Sequence, residues 1–250
     1  MREGRAILGR VVWRELTTPE PEKAKAFYAD LFGWTYEEAA PGAGTAIRLG
    51  EVPLGAIRQA QRVGFGTGWV SFVSVDNVDA SVVIASADGG GALPGLRDVP
   101  GLGRVARVVD YAEAMLAAVK SPPGTPVPPK AGVGAFCWEA LITPDVARAK
   151  EFYGKVFGWR MQTAADGSTV FAADSTPAGQ VASMEESPDA RQHWRTHLRV
   201  ESLDATREHA VRLGAKVLIP RRANPTGGSL AVLTDPTGVE FGLLEPARAD

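Results

Sequence analysis

The amino-acid sequence predicts an α+β protein of two tandem domains, in which each domain is a pair of βαβββ modules and the chain holds four modules in all. Three observations support this fold class. The sequence repeats itself at a constant offset of 125 residues, and a proline-rich segment separates the two copies. Each copy also shows two successive strand-then-helix patterns, each followed by further strand-like runs.

The repeat is clearest between residues 13–34 and residues 138–159, where 11 of 22 aligned positions are identical. The identities include the aromatic residues of a helical pattern and the Phe-Gly-Trp that follows it. The same offset continues without a gap to the end of each copy. It pairs Trp69 with Trp194, Val75 with Val200, and Asp110 with Asp235.

The segment between the copies, residues 121–132, contains five prolines. Prolines at this density impose extended polyproline geometry and exclude a helix or a central strand. We therefore interpret residues 121–132 as a semi-rigid linker. It divides the chain into a first domain, residues 1–120, and a second domain, residues 133–250.

The first module of each copy opens with a strand, residues 11–17 in copy one, and continues into a helix. Thr18 is predicted to cap this helix, with Pro19 at its first position, and Gly33 to end it in a left-handed turn. Apolar residues at helical spacing form one stripe that packs against a sheet. The stripe is Ala24, Phe27, Tyr28, Leu31 and Phe32 in copy one, and Ala149, Phe152, Tyr153, Val156 and Phe157 in copy two.

The second module repeats this order. In copy two a strand at 194–200 precedes a helix that Ser202 caps and Gly214 ends, and the final strand follows a turn at Asp235-Pro-Thr-Gly238. Copy one has Asp110-Tyr-Ala-Glu-Ala in place of that turn motif. The further predicted segments are strands 216–219, 228–233 and 238–244 in copy two, and strand 69–75, helix 78–87 and strand 103–109 in copy one.

The composition is that of an ordinary globular protein, with 45% hydrophobic and 22% charged residues. Because 27 basic residues are balanced by 29 acidic ones, we expect no nucleic-acid partner. Cys137, the single cysteine, excludes an internal disulfide and a thiolate metal cluster. No apolar run approaches a membrane span, and no signal-peptide pattern opens the sequence. We therefore expect a cytoplasmic protein without a membrane partner.

The order of these motifs is similar to that of a known family. Thr-Pro-Asp/Glu, a helix ending Phe-Tyr…Phe-Gly-Trp, Val-x-x-Leu-Asp before the second helix and Asp-Pro-Thr-Gly before the last strand together resemble the vicinal oxygen chelate superfamily. This superfamily is also called the glyoxalase/bleomycin-resistance/extradiol-dioxygenase superfamily, and the closest resemblance is to its tandem two-domain members. The resemblance implies that the sheets of paired modules curl into an open cup around a small-molecule site.

Enzymes of this superfamily hold a divalent metal in the cup through His, Gln or Glu side chains on the first and last strands of the modules. The resemblance places those positions at Trp13, Trp138, Val70, Arg195 and Gly242. These side chains cannot supply the convergent lone pairs that a metal requires. We therefore expect no metal and no other cofactor.

Strand alternation predicts which residues line each cup. If Leu198 and Val200 face their helix, then Arg195, His197 and Arg199 face the cup of copy two, and Glu240 on the last strand shares that side. Arginine forks pair well with planar acids, so this cup is predicted to recognise an anion. A self-satisfied network of ion pairs is the alternative. The equivalent set in copy one is more apolar, with Glu15 as its one charge: Trp13, Glu15, Thr17, Val70, Phe72 and Ser74.

Three functions remain open from the sequence. The leading hypothesis is a glyoxalase-like protein with a degenerate metal site that binds a small molecule, with an anion as one candidate, through Trp13, Glu15, Phe72, Trp138, Arg195, His197, Arg199 and Glu240. The second is a lyase, isomerase or dioxygenase, either with a non-standard metal set of His197, Glu240 and one more oxygen or with His197 or Glu15 as a general base. The third is an interaction module whose cup is plugged by Trp13 and Trp138.

Overall fold

The structure, a computed structural model, describes residues 8–38, 44–60, 66–99, 101–120, 132–163, 167–172, 181–186, 191–224 and 227–247. Its elements follow the order β-α-β-β-β four times, with one short extra strand in the second module. This confirms the predicted α+β class with four modules. Within the described ranges, no helix is long and apolar enough to cross a membrane.

The elements fall into two modules in each copy. The first module of copy one comprises β1 Val11–Thr18, α1 Pro21–Phe32, β2 Thr35–Glu38, β3 Thr45–Leu49 and β4 Val52–Gln59. Its second module comprises β5 Gly68–Ser74, α2 Val78–Ala87, β6 Gly91–Ala92, β7 Arg97–Val99, β8 Gly103–Val109 and β9 Met115–Lys120. In copy two the first module comprises β10 Phe136–Thr143, α3 Val146–Phe157, β11 Arg160–Thr163, β12 Thr169–Ala172 and β13 Val181–Glu186. The last module comprises β14 His193–Arg199, α4 Leu203–Arg212, β15 Lys216–Ala223, β16 Ser229–Thr234 and β17 Glu240–Glu245.

In every module the first and last strands lie side by side and parallel, because the helix between them provides the crossover. These pairs are β1 with β4, β5 with β9, β10 with β13 and β14 with β17. The remaining strands add to the last strand in antiparallel order. The module sheets therefore run β2-β3-β4-β1, β6-β8-β9-β5 with β7 also on β8, β11-β12-β13-β10 and β15-β16-β17-β14.

The chain divides into two compact units that do not follow the two copies. The first unit comprises Met1–Trp13, Val70–Val127 and Glu139–Trp194, and the second comprises Arg14–Trp69, Pro128–Trp138 and Arg195–Asp250. Each unit therefore joins one module of copy one to one module of copy two. The domains predicted at residues 1–120 and 133–250 describe the repeat in the sequence and stay a prediction. Apart from Gly132, the predicted linker lies outside the described residues.

Residues of both copies share one core in each unit. In the first unit the core includes Val73 and Leu116 of copy one and Phe152 of copy two. In the second unit the ring of Phe27 packs edge-on against Phe241, with centroids 5.9 Å apart. The apolar stripes of α1 and α3 thus pack as predicted, and they pack against strands of the other copy as well as their own.

The helix ends match the prediction better than the helix starts. Gly33 and Gly158 follow α1 and α3 in left-handed conformations, with φ of 72° and 69°. The predicted start of α1 is wrong by two residues, because Pro21 rather than Pro19 opens the helix. Thr18 Oγ1 accepts the Glu20 N–H at 3.2 Å, so Thr18 orders the turn before the helix and does not cap it.

A buried hydrogen-bond chain links the two copies inside the second unit. The indole N–H of Trp69 donates to the Tyr28 hydroxyl at 3.2 Å, and that hydroxyl donates to Asp235 Oδ2 at 3.1 Å. The other carboxylate oxygen of Asp235 accepts the backbone N–H groups of Thr237 and Val239, which fixes the turn before β17. Burial and the Asp235 charge hold the Tyr28 pKa well above 10, so Tyr28 is a permanent donor.

The first unit contains the same chain with the copies exchanged. Trp194 donates to the Tyr153 hydroxyl at 2.8 Å, and Tyr153 donates to Asp110 Oδ2 at 2.6 Å. Asp110 also fixes a turn, because its Oδ1 accepts the N–H of Ala112 and of Ala114 at 2.9 Å. Copy one therefore forms this turn without the Asp-Pro-Thr-Gly motif, and the expectation from the sequence that the missing motif means a missing turn is wrong.

Copy one forms this turn at an energetic cost in backbone conformation. Glu113, at the position that Gly238 occupies in copy two, is the only non-glycine described with a positive φ, at 70°. An L-residue with a β-carbon is strained in this region, whereas glycine is not.

We predict that Tyr153→Phe lowers the free energy of unfolding by about 1–3 kcal/mol, because the change removes a donor from Asp110 and an acceptor from Trp194 in a buried chain. Urea unfolding checks this. The control is Tyr36→Phe, whose half-buried hydroxyl donates only to the Lys25 carbonyl at 2.9 Å. An equal loss in both variants would contradict a special role for the chain.

We predict that Glu113→Gly raises the free energy of unfolding by about 1 kcal/mol, because it relieves the left-handed strain. The ion pair between Glu113 and Arg191, 2.9 Å apart and exposed on both sides, contributes little that could be lost. The reciprocal change Gly238→Ala is the control and should destabilise. A lower melting temperature for Glu113→Gly than for the parent chain would contradict the predicted relief of strain.

Candidate functional site

The last module places a polar cluster on the face of β14 that points away from α4. Leu198 and Val200 lie in the core with Leu203 of α4, which confirms the predicted packing of these two residues. Because side chains alternate along a strand, Arg195 and His197 lie on the opposite face. Both are buried, with 6% and 0% of their surface exposed.

His197 lies directly against the last strand of its module. In the parallel pair of β14 and β17, His197 is opposite Gly242. A β-carbon built on Gly242 would lie 1.9 Å from Cδ2 and 2.4 Å from Nε2 of the imidazole. No side chain fits at position 242 while His197 keeps this position, so the glycine is required for space.

The imidazole of His197 is neutral at physiological pH. Burial is the main cause that lowers its pKa to about 3, and the charges of Arg195 and Arg222 act in the same direction, partly offset by Glu240. In the described part of the chain, neither Nδ1 nor Nε2 has a hydrogen-bond partner of acceptable geometry. The Trp138 backbone raises the pKa of the ring, against the larger effects of burial and of the two arginines.

Two arginines and one carboxylate surround this ring. Arg195 Nε donates to Glu240 Oε1, and the Glu240 side chain, 28% exposed, is the more accessible of the pair. Arg222 on β15 is half-buried. Arg199, predicted to share the site, is half-buried at the end of β14. We call Arg195, His197, Arg222 and Glu240 the second-copy site.

Arg222 was not among the predicted site residues, because the sequence pattern predicted a strand that ends at residue 219. The strand extends through Pro220 to residue 223, with irregular register on both sides of Ile219. An edge strand tolerates proline because its outward N–H has no partner to lose. The repeat could have indicated Arg222, because the offset of 125 residues pairs it with another arginine, Arg97.

The residues predicted for copy one do not form an equivalent polar cluster. Glu15, 3% exposed and in the second unit, accepts a hydrogen bond from Arg58 Nε at 2.5 Å. Trp13 and Phe72 belong to the first unit, where Phe72 is buried and Trp13 packs beside it in an apolar cluster. Val70 and Ser74 of copy one are also buried, as is Trp138, the predicted ligand-binding tryptophan of copy two.

The described residues do not fit the divalent metal that the fold family implies. In the parallel strand pairs, Ala56 is opposite Glu15 and Ala117 is opposite Phe72, just as Gly242 is opposite His197. Like Gly242, Ala56 and Ala117 therefore occupy the last-strand ligand position in their modules. None of these three residues carries a donor atom that could reach a metal at about 2.0–2.2 Å. No group of three or more His, Cys, Asp or Glu side chains within the described ranges is placed to hold one.

The comparisons with known proteins agree with this fold. A family model described as a glyoxalase-like domain matches residues 137–244. This match agrees with the resemblance of the sequence to the vicinal oxygen chelate superfamily. CFP32 of Mycobacterium tuberculosis, which carries a glyoxylase name, is 29% identical over 250 residues, covering 94% of each chain. The anthracycline biosynthesis protein DnrV of Streptomyces peucetius is 29% identical over 262 residues, covering 95% of this chain and 93% of that one.

Solved structures of this superfamily share the fold at low sequence identity. The Mn(II)-bound glyoxalase of Novosphingobium aromaticivorans superposes with a TM-score of 0.68 at 15% identity, covering 96% of this chain and 83% of that one. The 2,3-dioxygenase LapB of Pseudomonas sp. KL28 gives 0.64 at 14% identity, covering 97% and 94%. At these identities the likeness shows the fold alone.

We predict that the protein carries no stoichiometric metal, because its equivalent positions hold small or unsuitable side chains. Elemental analysis of untagged protein should find well below one Zn, Ni, Fe or Mn per chain, and neither a chelator nor added Mn²⁺ should move the melting temperature. One tightly held metal per chain would contradict the prediction.

Proposed function

We propose that this chain binds a small anionic molecule without a resident metal, and that its ligand site is the second-copy site. One observation carries the proposal. Arg195 and Arg222 act on a fully buried, neutral imidazole whose nitrogens have no hydrogen-bond partner of acceptable geometry in the described part of the chain. The names of the relatives, a glyoxylase and an anthracycline biosynthesis protein, also concern small molecules.

The buried ring nitrogens of His197 favour a bound ligand for a physical reason. A buried polar group without a partner costs about 1–3 kcal/mol, so native proteins keep few of them, and a bound ligand is one reason to keep one. The neutral imidazole of His197 offers one N–H donor and one acceptor. A carboxylate can accept from that donor while its charge is stabilised by the neighbouring guanidinium groups.

Glu240 gives such a ligand a route into the site. Its side chain is 28% exposed, and it presents to Arg195 the same chemical group that a ligand carboxylate would present. We therefore propose that the ligand replaces Glu240 on Arg195. In the unliganded protein, Glu240 is an internal competitor.

A catalytic role for this cluster is less well supported. A general base works best when its pKa lies near the operating pH, and His197 with a pKa of about 3 is far below it. Glu15, the other candidate base, is held by Arg58. A metal set that includes Glu240 would have to break the contact between Glu240 and Arg195. The interaction-module alternative is favoured only for copy one, where Phe72 and its neighbours pack as an apolar cluster.

We predict opposite effects for the two partners of this ion pair. In calorimetric titrations with pyruvate, citrate and benzoate, Arg195→Met should weaken the best ligand at least about ten-fold, because it removes a charge-assisted contact. Glu240→Gln should bind that ligand as tightly or more tightly, because the internal competitor is weakened.

The matched control is Arg191→Met, which removes an exposed arginine that pairs with Glu113 and should leave binding unchanged. Circular dichroism would verify that each variant is folded. Equal affinity of the parent chain and Arg195→Met, or no binding of any of the three anions at millimolar concentration, would overturn the proposal.

A further inference from the structure

The helix of the second module in copy one, α2, exposes an apolar face. Asp79 in its first turn is its one charged residue, and all its other residues are Val, Ile, Ala or Ser. Val83 is 67% exposed and Ile84 is 38% exposed. A helix that is apolar nearly all round is ordinarily covered on every side. The exposed face of α2 therefore needs an explanation.

The exposed apolar residues of α2 follow helical spacing. Those at positions i, i+3, i+4 and i+7 form one stripe along the helix, which we call the α2 stripe: Ala80, Val83, Ile84 and Ala87. The other side of the helix packs within its own unit. There Ala85 is fully buried, and Ser81 Oγ donates to the Val156 carbonyl of α3 at 3.4 Å. The α2 stripe is therefore separate from the contacts that hold α2 in place.

The equivalent helix of copy two shows that this face need not be apolar. At the offset of 125 residues, the last three residues of the α2 stripe correspond to Glu208, His209 and Arg212 of α4. Polar and charged residues are the ordinary choice for a helix face in contact with water. Since the two helices occupy the same place in their modules, the fold does not require an apolar face on α2.

The start of α2 carries an excess of accessible carboxylate. Asp79 and Asp98, whose side chains are 53% and 79% exposed, approach Arg104 at 2.8 and 3.7 Å. Two carboxylates thus share one guanidinium group. This charge disfavours an anionic bilayer as the molecule that covers α2, because helices on membrane surfaces carry Lys and Arg beside their apolar face. The helix itself contains no basic residue.

The end of α2 carries an accessible ammonium group. Asp88, the first residue after the helix, is held by Arg148 Nη1 at 2.6 Å and by Lys155 Nζ at 2.7 Å. The Asp88 side chain is only 15% exposed, whereas that of Lys155, which also pairs with Glu151, is 46% exposed. A carboxylate that approaches this end of the helix therefore meets a cation.

We propose that the α2 stripe is a homodimer surface, in which two copies of this chain pack their α2 helices antiparallel about a two-fold axis. Val83 of one copy then lies level with the partner's Ile84, and Ala80 lies level with the partner's Ala87. The small side chains at both ends let the helix axes come close. The start of each helix faces the end of the other, so Asp79 approaches the partner's Lys155 and the two helix dipoles oppose each other.

A second copy fits this face because the face is complementary to itself. A two-fold interface uses the same surface on both partners, and α2 supplies the apolar stripe and both kinds of charge. The stripe is small beside the roughly 800 Å² per partner that stable complexes bury, so the dimer is weak and depends on concentration. The inference does not rest on the proposed ligand, since α2 belongs to the first unit and Arg195 to the second.

The experiment is sedimentation equilibrium of the full chain from micromolar to near-millimolar concentration, where the average mass should rise toward twice the chain mass. Val83→Glu gives α2 the residue that α4 has at this position. It should weaken association at least about ten-fold, because it places a charge at the centre of the apolar contact. The control is Val211→Glu, the same substitution at a 47% exposed valine of α4, which should associate like the parent chain. Circular dichroism would verify that both variants are folded.

Disulfide trapping reports the orientation of the helices. In a Cys137→Ser background, chains with Ala80→Cys are mixed with chains with Ala87→Cys and oxidised. Mixed disulfides should exceed both like pairs, because a disulfide needs Cα atoms within about 7 Å and only the antiparallel arrangement brings positions 80 and 87 level.

Three results would overturn the inference. The first is a parent chain that stays monomeric at every concentration, and binding of that monomer to phosphatidylglycerol vesicles in flotation would assign the face to lipid. The second is equal association of the parent chain and Val83→Glu. The third is a yield of like-pair disulfides equal to that of the mixed pair.

Discussion

A buried tyrosine hydroxyl in each compact unit is the interaction on which the arrangement of the two copies depends. Tyr28 lies on a helix of copy one but donates to Asp235, which forms a turn of copy two. Tyr153 and Asp110 make the reciprocal contact. In each unit, therefore, this hydrogen-bond chain joins a module of copy one to a module of copy two. The same dependence explains why copy one keeps its turn at Asp110 although Glu113 must adopt a strained conformation there.

A steric constraint between His197 and Gly242 determines which side chains the second-copy site can hold. The space above β17 holds either a side chain at position 242 or the imidazole of His197, and it cannot hold both. Here the imidazole takes the space, and Gly242 leaves no carboxylate at the last-strand position. The first copy pairs Phe72 with Ala117 in the same register. In both copies, then, a large residue on the first strand faces a small residue on the last.

The sequence was sufficient to predict what depends on local periodicity. Four modules, the helix ends at Gly33 and Gly158 and the inward packing of Leu198 were all available from spacing alone. The start of α1 was misplaced because Pro19 and Pro21 suit a first helical position equally well. The grouping of modules into units depends on contacts far apart in sequence, such as Tyr28 with Asp235, and no local pattern encodes these. Of the site, the face of β14 was predictable, whereas Arg222 beyond Pro220 was not.

The divergence of the two copies supports the proposal that the second-copy site has a function beyond stability. Where the first copy buries Val70 and Phe72, the second copy buries Arg195 and His197 at the same positions of the same fold. Replacing a buried ion pair by apolar residues of similar volume is often neutral or stabilising by about 1–4 kcal/mol. The first copy shows that this fold accommodates the apolar alternative. A chain selected for stability alone had that alternative available, so the polar cluster around the buried imidazole supports the proposal that the cluster binds a ligand.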